Sequence, residues 1–409
     1  MDSTFLYSQI LGIKSPWFVD DVNLDMPSNK VEVFVSYKGD SGNCKCGNPF
    51  HFHGHNSQRR WRHLDTCQLE TLIVCSLPRV KCPSCGKTES IQGSWCSPNS
   101  RFTMLFENVI IDWLKVCQSQ TGVAKLFNLS FDEVNGIMSR AIERGLCNRE
   151  EQSLKYLSID EKSMKKGHKY LTVLSNPETG TVLDVCKDRN KVAVNSLLEE
   201  TLSFKQRRSI KAISMDMWDA FISSAKLMLP IADIVHDRFH ISKLLNNAVD
   251  ITRRQETSKL AKLGNHNLKR SKYLWLMKFS SMDHTKSLRF ARASKASEST
   301  AEVWSYKEVF REFFECKSKE EAELFLQNWF EKAEGEPYPA LRRVAKTLMK
   351  YSEGILNYTK HKFTNALAES INGKIQLMKA KARGFLTFKN YRRNILFYFG
   401  GLKLSQTNS

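Results

Sequence analysis

The sequence predicts an α+β protein of several domains, in which a small cysteine-bound module and a helical module precede a mixed sheet domain split by an α-helical insertion. Three observations carry that expectation. Cysteines occur in two close pairs, Cys44 with Cys46 and Cys82 with Cys85. The hydrophobic period is helical over 101–146, alternating from about 154, and helical again beyond 241. Two apolar runs end in aspartate, Tyr156 to Asp160 and Ile210 to Asp216. At 409 residues the chain has room for about two to four domains of ordinary size. The boundaries fall at 1–100 for the N-terminal region with its cysteines and 101–150 for the helical module. They continue with 151–240 for the first part of the sheet domain, 241–360 for the insertion, and 361–409 for the last part with a basic tail.

The cysteine module comes first. Gly47 follows the first pair and Gly86 the second, and glycine lets a chain turn tightly enough for neighbouring thiolates to converge on one ion. Leu69 to Val74 alternates as a strand does. Two knuckles on hairpins describe a zinc ribbon, with Cys44, Cys46, Cys82 and Cys85 holding a structural Zn²⁺. The second pair has the usual two-residue spacing and the first is one residue short. His51, His53 or His55 therefore stand as alternatives to Cys44 or Cys46. The remaining seven cysteines lack a partner at ligand spacing and suit core or surface thiols.

Residues 101–146 then form three helices. Phe102, Leu105, Phe106, Val109, Ile110, Trp113 and Leu114 recur at helical spacing. A short helix spans 120–128, and Ser130 with Glu133 is a capping-box pattern opening a third. Val134, Ile137, Met138, Ala141 and Ile142 mark its buried face. Helix, short turn and capped helix make a helix-turn-helix, whose second helix can enter a major groove. Asn135, Ser139, Arg140 and Arg144 are the expected exposed DNA contacts.

The sheet domain opens with strands at 154–160, 169–174 and 181–186, separated by turns at 165–168 and 176–180. A helix over 192–202 leads to a fourth strand ending at Asp216. A helix over 221–228, stopped by Pro230, leads to a fifth strand over 231–235. Three antiparallel strands, helix, strand, helix, strand is the ribonuclease H-like order. The first and fourth strands are neighbours in that fold, so Asp160 and Asp216 should meet. Residues 241–360 read as helices, and the domain resumes at Asn365 to Asn372. There, at about 100° per residue, Leu367, Ile371, Ile375 and Met378 share one side while Asn365, Glu369 and Asn372 lie opposite. Asp160, Asp216 and Glu369 then form a carboxylate triad suited to two hard divalent cations, Mg²⁺ or Mn²⁺.

Charge narrows the partner. The chain carries 62 Lys+Arg against 43 Asp+Glu, a net charge of +19, which points to a polyanion. No apolar run approaches the roughly 18 residues a membrane span needs. The start lacks a basic stretch followed by an apolar block, so a cytoplasmic protein with reduced thiols, associated with the bacterial nucleoid, is expected.

These pieces resemble the transposases of bacterial insertion sequences of the ISL-three (ISL3) type, a branch of the DDE transposases. The resemblance covers residues from about 40 to 400. It rests on Cys-Lys-Cys-Gly and Cys-Pro-Ser-Cys-Gly, on Ser158 to Glu161 followed by Lys166 to Tyr170, and on Ser214 to Trp218. It rests further on His236 to His240, on Asn246 to Asp250, and on Asn365 to Asn372 running into Lys379 to Gly384. It implies that Asp160, Asp216 and Glu369 are the catalytic carboxylates, with double-stranded DNA, both terminal inverted repeats and target, as partner. DNA ends must be paired, so a homodimer or larger assembly is expected. Asp237 and His240 resemble an Asp-x-x-His signature of related groups. Either His240 contacts a phosphate or orients the site, or Asp237 simply caps a helix. Lys379, Lys381 and Arg383, with Arg392 and Arg393, are expected to hold phosphates. The rivals are a catalytically idle relative that regulates by binding DNA, which an intact triad disfavours, and a cellular nuclease of the same fold. The helix-turn-helix and long insertion disfavour the latter.

Overall fold

The computed structural model describes residues 2–151, 153–165, 169–361 and 366–406, with the side chains of 165, 169 and 366–369 outside the description. The chain divides into two compact units, Met1–Arg149 with Leu402–Ser409, and Glu150–Gly401.

The first unit opens with α1 (Ser3–Leu11), β1 (Trp17–Asp25) and β2 (Lys30–Tyr37). Strands β3 (His51–His55), β4 (Arg59–Arg62), β5 (Glu70–Cys75), β6 (Pro78–Lys81) and β7 (Thr88–Ser90) follow. They build a four-stranded sheet ordered β1-β2-β5-β4 and a three-stranded sheet ordered β3-β6-β7. Trp17, Val31, Val33, Trp61, Ile73 and Trp95 fill the larger sheet's core. Among the described residues the small sheet's core is Cys44, Phe50, Val80 and Cys82 with Ile91 partly buried against them, too little apolar surface to hold itself together without a metal. Helices α2 (Met104–Cys117), α3 (Gln120–Leu126) and α4 (Phe131–Cys147) complete the unit. Thr103, Ser119 and Ser130 cap them, and Ser130 with Glu133 forms the expected capping box.

The second unit is built on β8 (Tyr156–Lys165), β9 (Lys169–Asn176) and β10 (Thr181–Lys187). Helices α5 (Lys191–Thr201) and α6 (Phe204–Arg207), β11 (Ala212–Met215), α7 (Asp219–Met228) and β12 (Asp233–His236) continue it. The sheet order is β10-β9-β8-β11-β12. β9 pairs antiparallel with β8 and β10, whereas β11 runs parallel to both β8 and β12. The first and fourth strands of the domain are thus neighbours, as its order of elements predicts. β8 extends beyond the expected end at residue 160, so Asp160 stands in mid-strand opposite Val173. The expected turn at 166–168 lies outside the described residues.

Helix α8 (Arg238–Lys262) starts directly after β12 and crosses the boundary set at residue 241. Next come α9 (Lys272–Leu276), α10 (His284–Ala296), α11 (Glu298–Val309), α12 (Lys319–Gly335), α13 (Pro339–Lys350) and α14 (Ser352–His361). No strand interrupts them. Their own core includes Val249, Trp275, Phe310, Phe313, Trp329 and Leu348. The chain returns to the sheet with α15 (Ala366–Lys381) and α16 (Phe388–Phe399). Val194, Leu197 and Leu198 of α5 with Phe221 and Ala225 of α7 pack against Leu157, Ile159 and Ile213. Ile371 and Ile375 of α15 with Tyr391 and Ile395 of α16 pack against Leu171, Val173 and Val185. Strand side chains alternate between faces, so the sheet is covered on both. Among the described residues no helix is long and apolar enough to cross a membrane.

Candidate metal centres

The four cysteines converge. Their Sγ atoms lie within 4.8 Å of one another, with Cys44 3.6 Å from Cys85 and Cys46 3.5 Å from Cys82. Sulfurs around a tetrahedral zinc with bonds of about 2.3 Å stand about 3.8 Å apart, so the donor set fits the ion. The glycine turns form as expected. Gly47 adopts φ 90° and donates its N–H to Cys44 at 2.9 Å, and Gly86 adopts φ 71° and donates to Cys82 at 3.0 Å. Hydrogen bonds from the backbone and side chain of Asn48 pull the Cys46 thiol down to about 6, toward the thiolate a metal binds. His51, His53 and His55 are exposed on β3 and are not part of this cluster.

A second group of potential ligands joins Asp160, Asp216 and His240, again within 4.8 Å of one another. β8 supplies Asp160, the residue after β11 supplies Asp216, and the first turn of α8 supplies His240. The parallel pairing of β8 with β11 sets the two aspartates side by side. His240 Nε2 lies 2.6 Å from Asp216 Oδ1. Burial alone would lower the His240 pKa. The hydrogen bond to Asp216 and the charges of Asp216, Asp237 and Asp160 outweigh it and raise it. Asp237 caps α8, accepting from the Phe239 N–H at 2.9 Å.

Asp160 is held from three sides. Its Oδ1 accepts from the Glu161 N–H at 2.7 Å, Lys162 Nζ stands 2.8 Å from Oδ2, and the Asn372 amide donates to the same oxygen. Asn372 is buried on α15, next to Ile371 and one turn before Ile375, which anchor the helix in the sheet core. Glu369 belongs to this helix one turn earlier, and its side chain, like all of Asn365, lies outside the described residues. Sequence reasoning placed Asn372 on the polar face but gave Asn372 and Lys162 no role. The pattern of Asp160 and Lys162 two apart on one strand face was the available signal for the latter.

A cleft of about 570 Å³ opens beside the aspartates, lined by Asp216, Trp218, Arg189, His240, Lys243 and Lys272 among others. Arg189 stacks between Tyr170 and Trp218, 4.1 and 4.3 Å from their ring centroids, and pairs with Glu161 at 2.7 Å. Glu308 on α11 of the insertion is tied to Lys307 and Arg311, each at 2.9 Å.

The expected DNA contacts on α4 need correction. Asn135 is buried and Ser139 donates back to the Asn135 carbonyl at 2.9 Å. Arg140 and Arg144 turn inward to Glu107, a wholly buried carboxylate on α2, at 2.6 and 3.3 Å. Ser100 and Gln406 also donate to it, at 2.8 and 3.2 Å. A buried carboxylate must be paired, and that requirement outweighs the pull of water on the arginines. The exposed charges of α4, Asp132 and Glu143, are acidic. These four side chains are thus engaged within the first unit rather than presented on an exposed basic face. Arg140→Ala should cost about 2 kcal/mol of stability in the first unit, because Glu107 loses its closest cationic partner while Arg144, Ser100 and Gln406 remain. A denaturant melt checks this, and Glu107→Gln with Arg140→Ala should recover part of the loss.

In the basic tail, Lys379 Nζ donates to the Ser163 carbonyl at 2.7 Å, while Lys381 and Arg383 are exposed. Arg392 forms a two-pronged pair with Asp184, both bonds 2.7 Å, so it braces β10 against α16.

Comparison with known proteins identifies the family. The profile of a transposase family of the DDE, ISL3 type matches residues 157–395, and that of the zinc-finger of transposase IS204/IS1001/IS1096/IS1165 matches residues 43–85. The chain is 24% identical over 330 residues to the transposase for insertion sequence element IS1001 of Bordetella parapertussis, covering 80% of this chain and 81% of that one. It is 23% identical over 420 residues to the transposase for insertion sequence element IS1557 of Mycobacterium tuberculosis, covering 94% and 93%. The chain belongs to the ISL3-type family of DDE transposases.

Proposed function

We propose that this insertion-sequence transposase binds the terminal inverted repeats of its element and cuts and rejoins DNA at a site formed by Asp160, Asp216 and Glu369. The convergence of Asp160 and Asp216 across the β8–β11 pair carries the reading. The sheet order supports a ribonuclease H-like domain, and α2 to α4 support a helix-turn-helix that reads DNA together with the zinc ribbon. The reaction is in-line attack by water at the element's end, freeing a 3′-hydroxyl, followed by attack of that hydroxyl on target DNA, with no covalent enzyme intermediate. Two divalent cations, Mg²⁺ or Mn²⁺, would stabilise the attacking and leaving oxygens when bound.

The chain's own residues arrange this chemistry. Asp160 and Asp216, both partly exposed, stand side by side across the parallel β8–β11 pair. His240 fixes the rotamer of Asp216, and Asn372 ties the helix bearing Glu369 to Asp160. Lys162 and His240 balance the carboxylates before metal binds. Lys381 and Arg383 hold phosphates, and the assembly on paired ends is a dimer or larger, in the bacterial cytoplasm.

The test is cleavage of end-labelled terminal-repeat DNA with divalent cation and with chelator, beside binding to the same DNA. Cleavage that persists in chelator would overturn the reading. Asn372→Ala should raise the Mg²⁺ concentration for half-maximal cleavage by about tenfold, as loss of a partner beyond the ligands does. An unchanged metal dependence would remove Asn372 from this role.

A further inference from the structure

We propose that the helical insertion carries a phosphate-binding track, between Lys262 and Lys295, that holds the backbone of duplex DNA as it leaves the catalytic cleft. The proposal rests on the reading of the protein as a DNA-cutting transposase and names a surface for it.

Charge is segregated within the insertion. Between Thr257 and Ser297 ten Lys and Arg face a single acidic residue, Asp283, whereas between Glu298 and Lys360 twelve acidic residues face ten basic ones. The stretch from Thr257 to Ser297, about a third of the insertion, therefore carries its excess charge. Lys269, Arg270 and Lys272 around the start of α9, and Arg289, Arg292 and Lys295 along α10, are exposed. Within this stretch Lys286 pairs with Asp283 and Lys259 with Glu256, but among the described residues those six have no ion pair. Elsewhere in the insertion some exposed cations find acids, as Lys319 finds Glu323 and Lys350 finds Asp219. Arg342, Arg343 and Lys346 of α13, without an ion pair among the described residues, lie in the stretch where acidic residues outnumber basic ones.

Geometry makes the cluster continuous with the site. Arg289, Arg292 and Lys295 recur every three residues on the arc of α10 turned away from Phe290 and Ala293, which are buried. Lys272 lines the same cleft as Asp216 and His240. A row of unpaired cations that packs against nothing adds only repulsion to the fold, and its complement is a regularly charged polyanion. Phosphate contacts of this kind position DNA without reading its sequence.

The experiment compares the full chain with a variant carrying Lys269→Gln, Arg270→Gln, Arg289→Gln, Arg292→Gln and Lys295→Gln. Affinity for terminal-repeat DNA is measured over a salt series. Each lost phosphate contact flattens the slope of log affinity against log salt by about 0.9, so the variant's slope should be shallower by about 4 to 5. Its affinity at about 0.15 M salt should fall at least tenfold, while its preference for the repeat over scrambled DNA stays the same. A second variant on α13, with Arg342→Gln, Arg343→Gln and Lys346→Gln, removes exposed charge outside the track and should leave the slope within about one of wild type. Equal slopes for wild type and the five-fold variant would overturn the track. So would an equal flattening by the α13 variant, since net charge would then explain it. A wild-type chain with no preference for its repeat would instead sink the functional reading and leave the track's salt response to be judged alone.

Discussion

Asp160→Asn, Asp216→Asn and Glu369→Gln should each lower DNA cleavage and strand joining by about three orders of magnitude, some 4 kcal/mol of transition-state stabilisation. Binding to terminal-repeat DNA should stay within about threefold of wild type. Carboxylates brought this close repel one another, and the present partners of Asp160 and Asp216 are cationic or hydrogen-bond donors. Removing one charge at constant side-chain size weakens a divalent site without leaving a void, so thermal melting should shift little. For Asp160→Asn the neighbouring Lys162 loses its partner, yet it is exposed enough to find water. End-labelled repeat DNA, assayed for binding and for nicked and joined products, separates the two effects. Wild-type cleavage by any of the three variants would remove that residue from the triad.

Loss of zinc is the second large effect. Removing the ion by chelation, or replacing Cys82 or Cys85 with Ser, should unfold the β3-β6-β7 sheet and weaken terminal-repeat binding at least a hundredfold. The small sheet's core is Cys44, Phe50, Val80 and Cys82, two of which are themselves ligands, so metal binding supplies its folding free energy. The second unit has separate cores and should keep its melting transition. The full chain is the proper sample, because Gln406 completes the Glu107 cluster and a fragment ending at residue 150 would lack it. Metal analysis beside anisotropy measurements decides the point. A zinc-free chain that binds the repeat unchanged would contradict it.

What could be seen in the sequence follows the range of the interactions. Ser158-Ile159-Asp160 and Ser214-Met215-Asp216 are short apolar runs flanked by turn residues, and local patterning located β8 and β11 within a few residues. The buried stripe of α4 was equally visible, since Val134, Ile137, Met138, Ala141 and Ile142 are all buried. Its polar face was misjudged because Glu107 and Gln406, which draw Arg140 and Arg144 inward or share their partner, lie far away in sequence. Helical periodicity tells which side is polar, not whether a buried carboxylate waits there. The β1-β2-β5-β4 sheet was missed in part because β2 pairs parallel with β5 across an intervening module. His240 was expected to support the site, and its place against Asp216 needed the turn from β12 into α8 to be seen.

The central claim is that these carboxylates act through divalent metal, and Asp216→Cys tests it most directly. Thiolate is a poor ligand for hard Mg²⁺, while softer Mn²⁺ accepts it. Cleavage of end-labelled repeat DNA by wild type and variant is measured in each ion. Wild type should cut in both, and Asp216→Cys should be silent in Mg²⁺ and regain cleavage in Mn²⁺. Equal cleavage by the variant and wild type in Mg²⁺ would contradict the account.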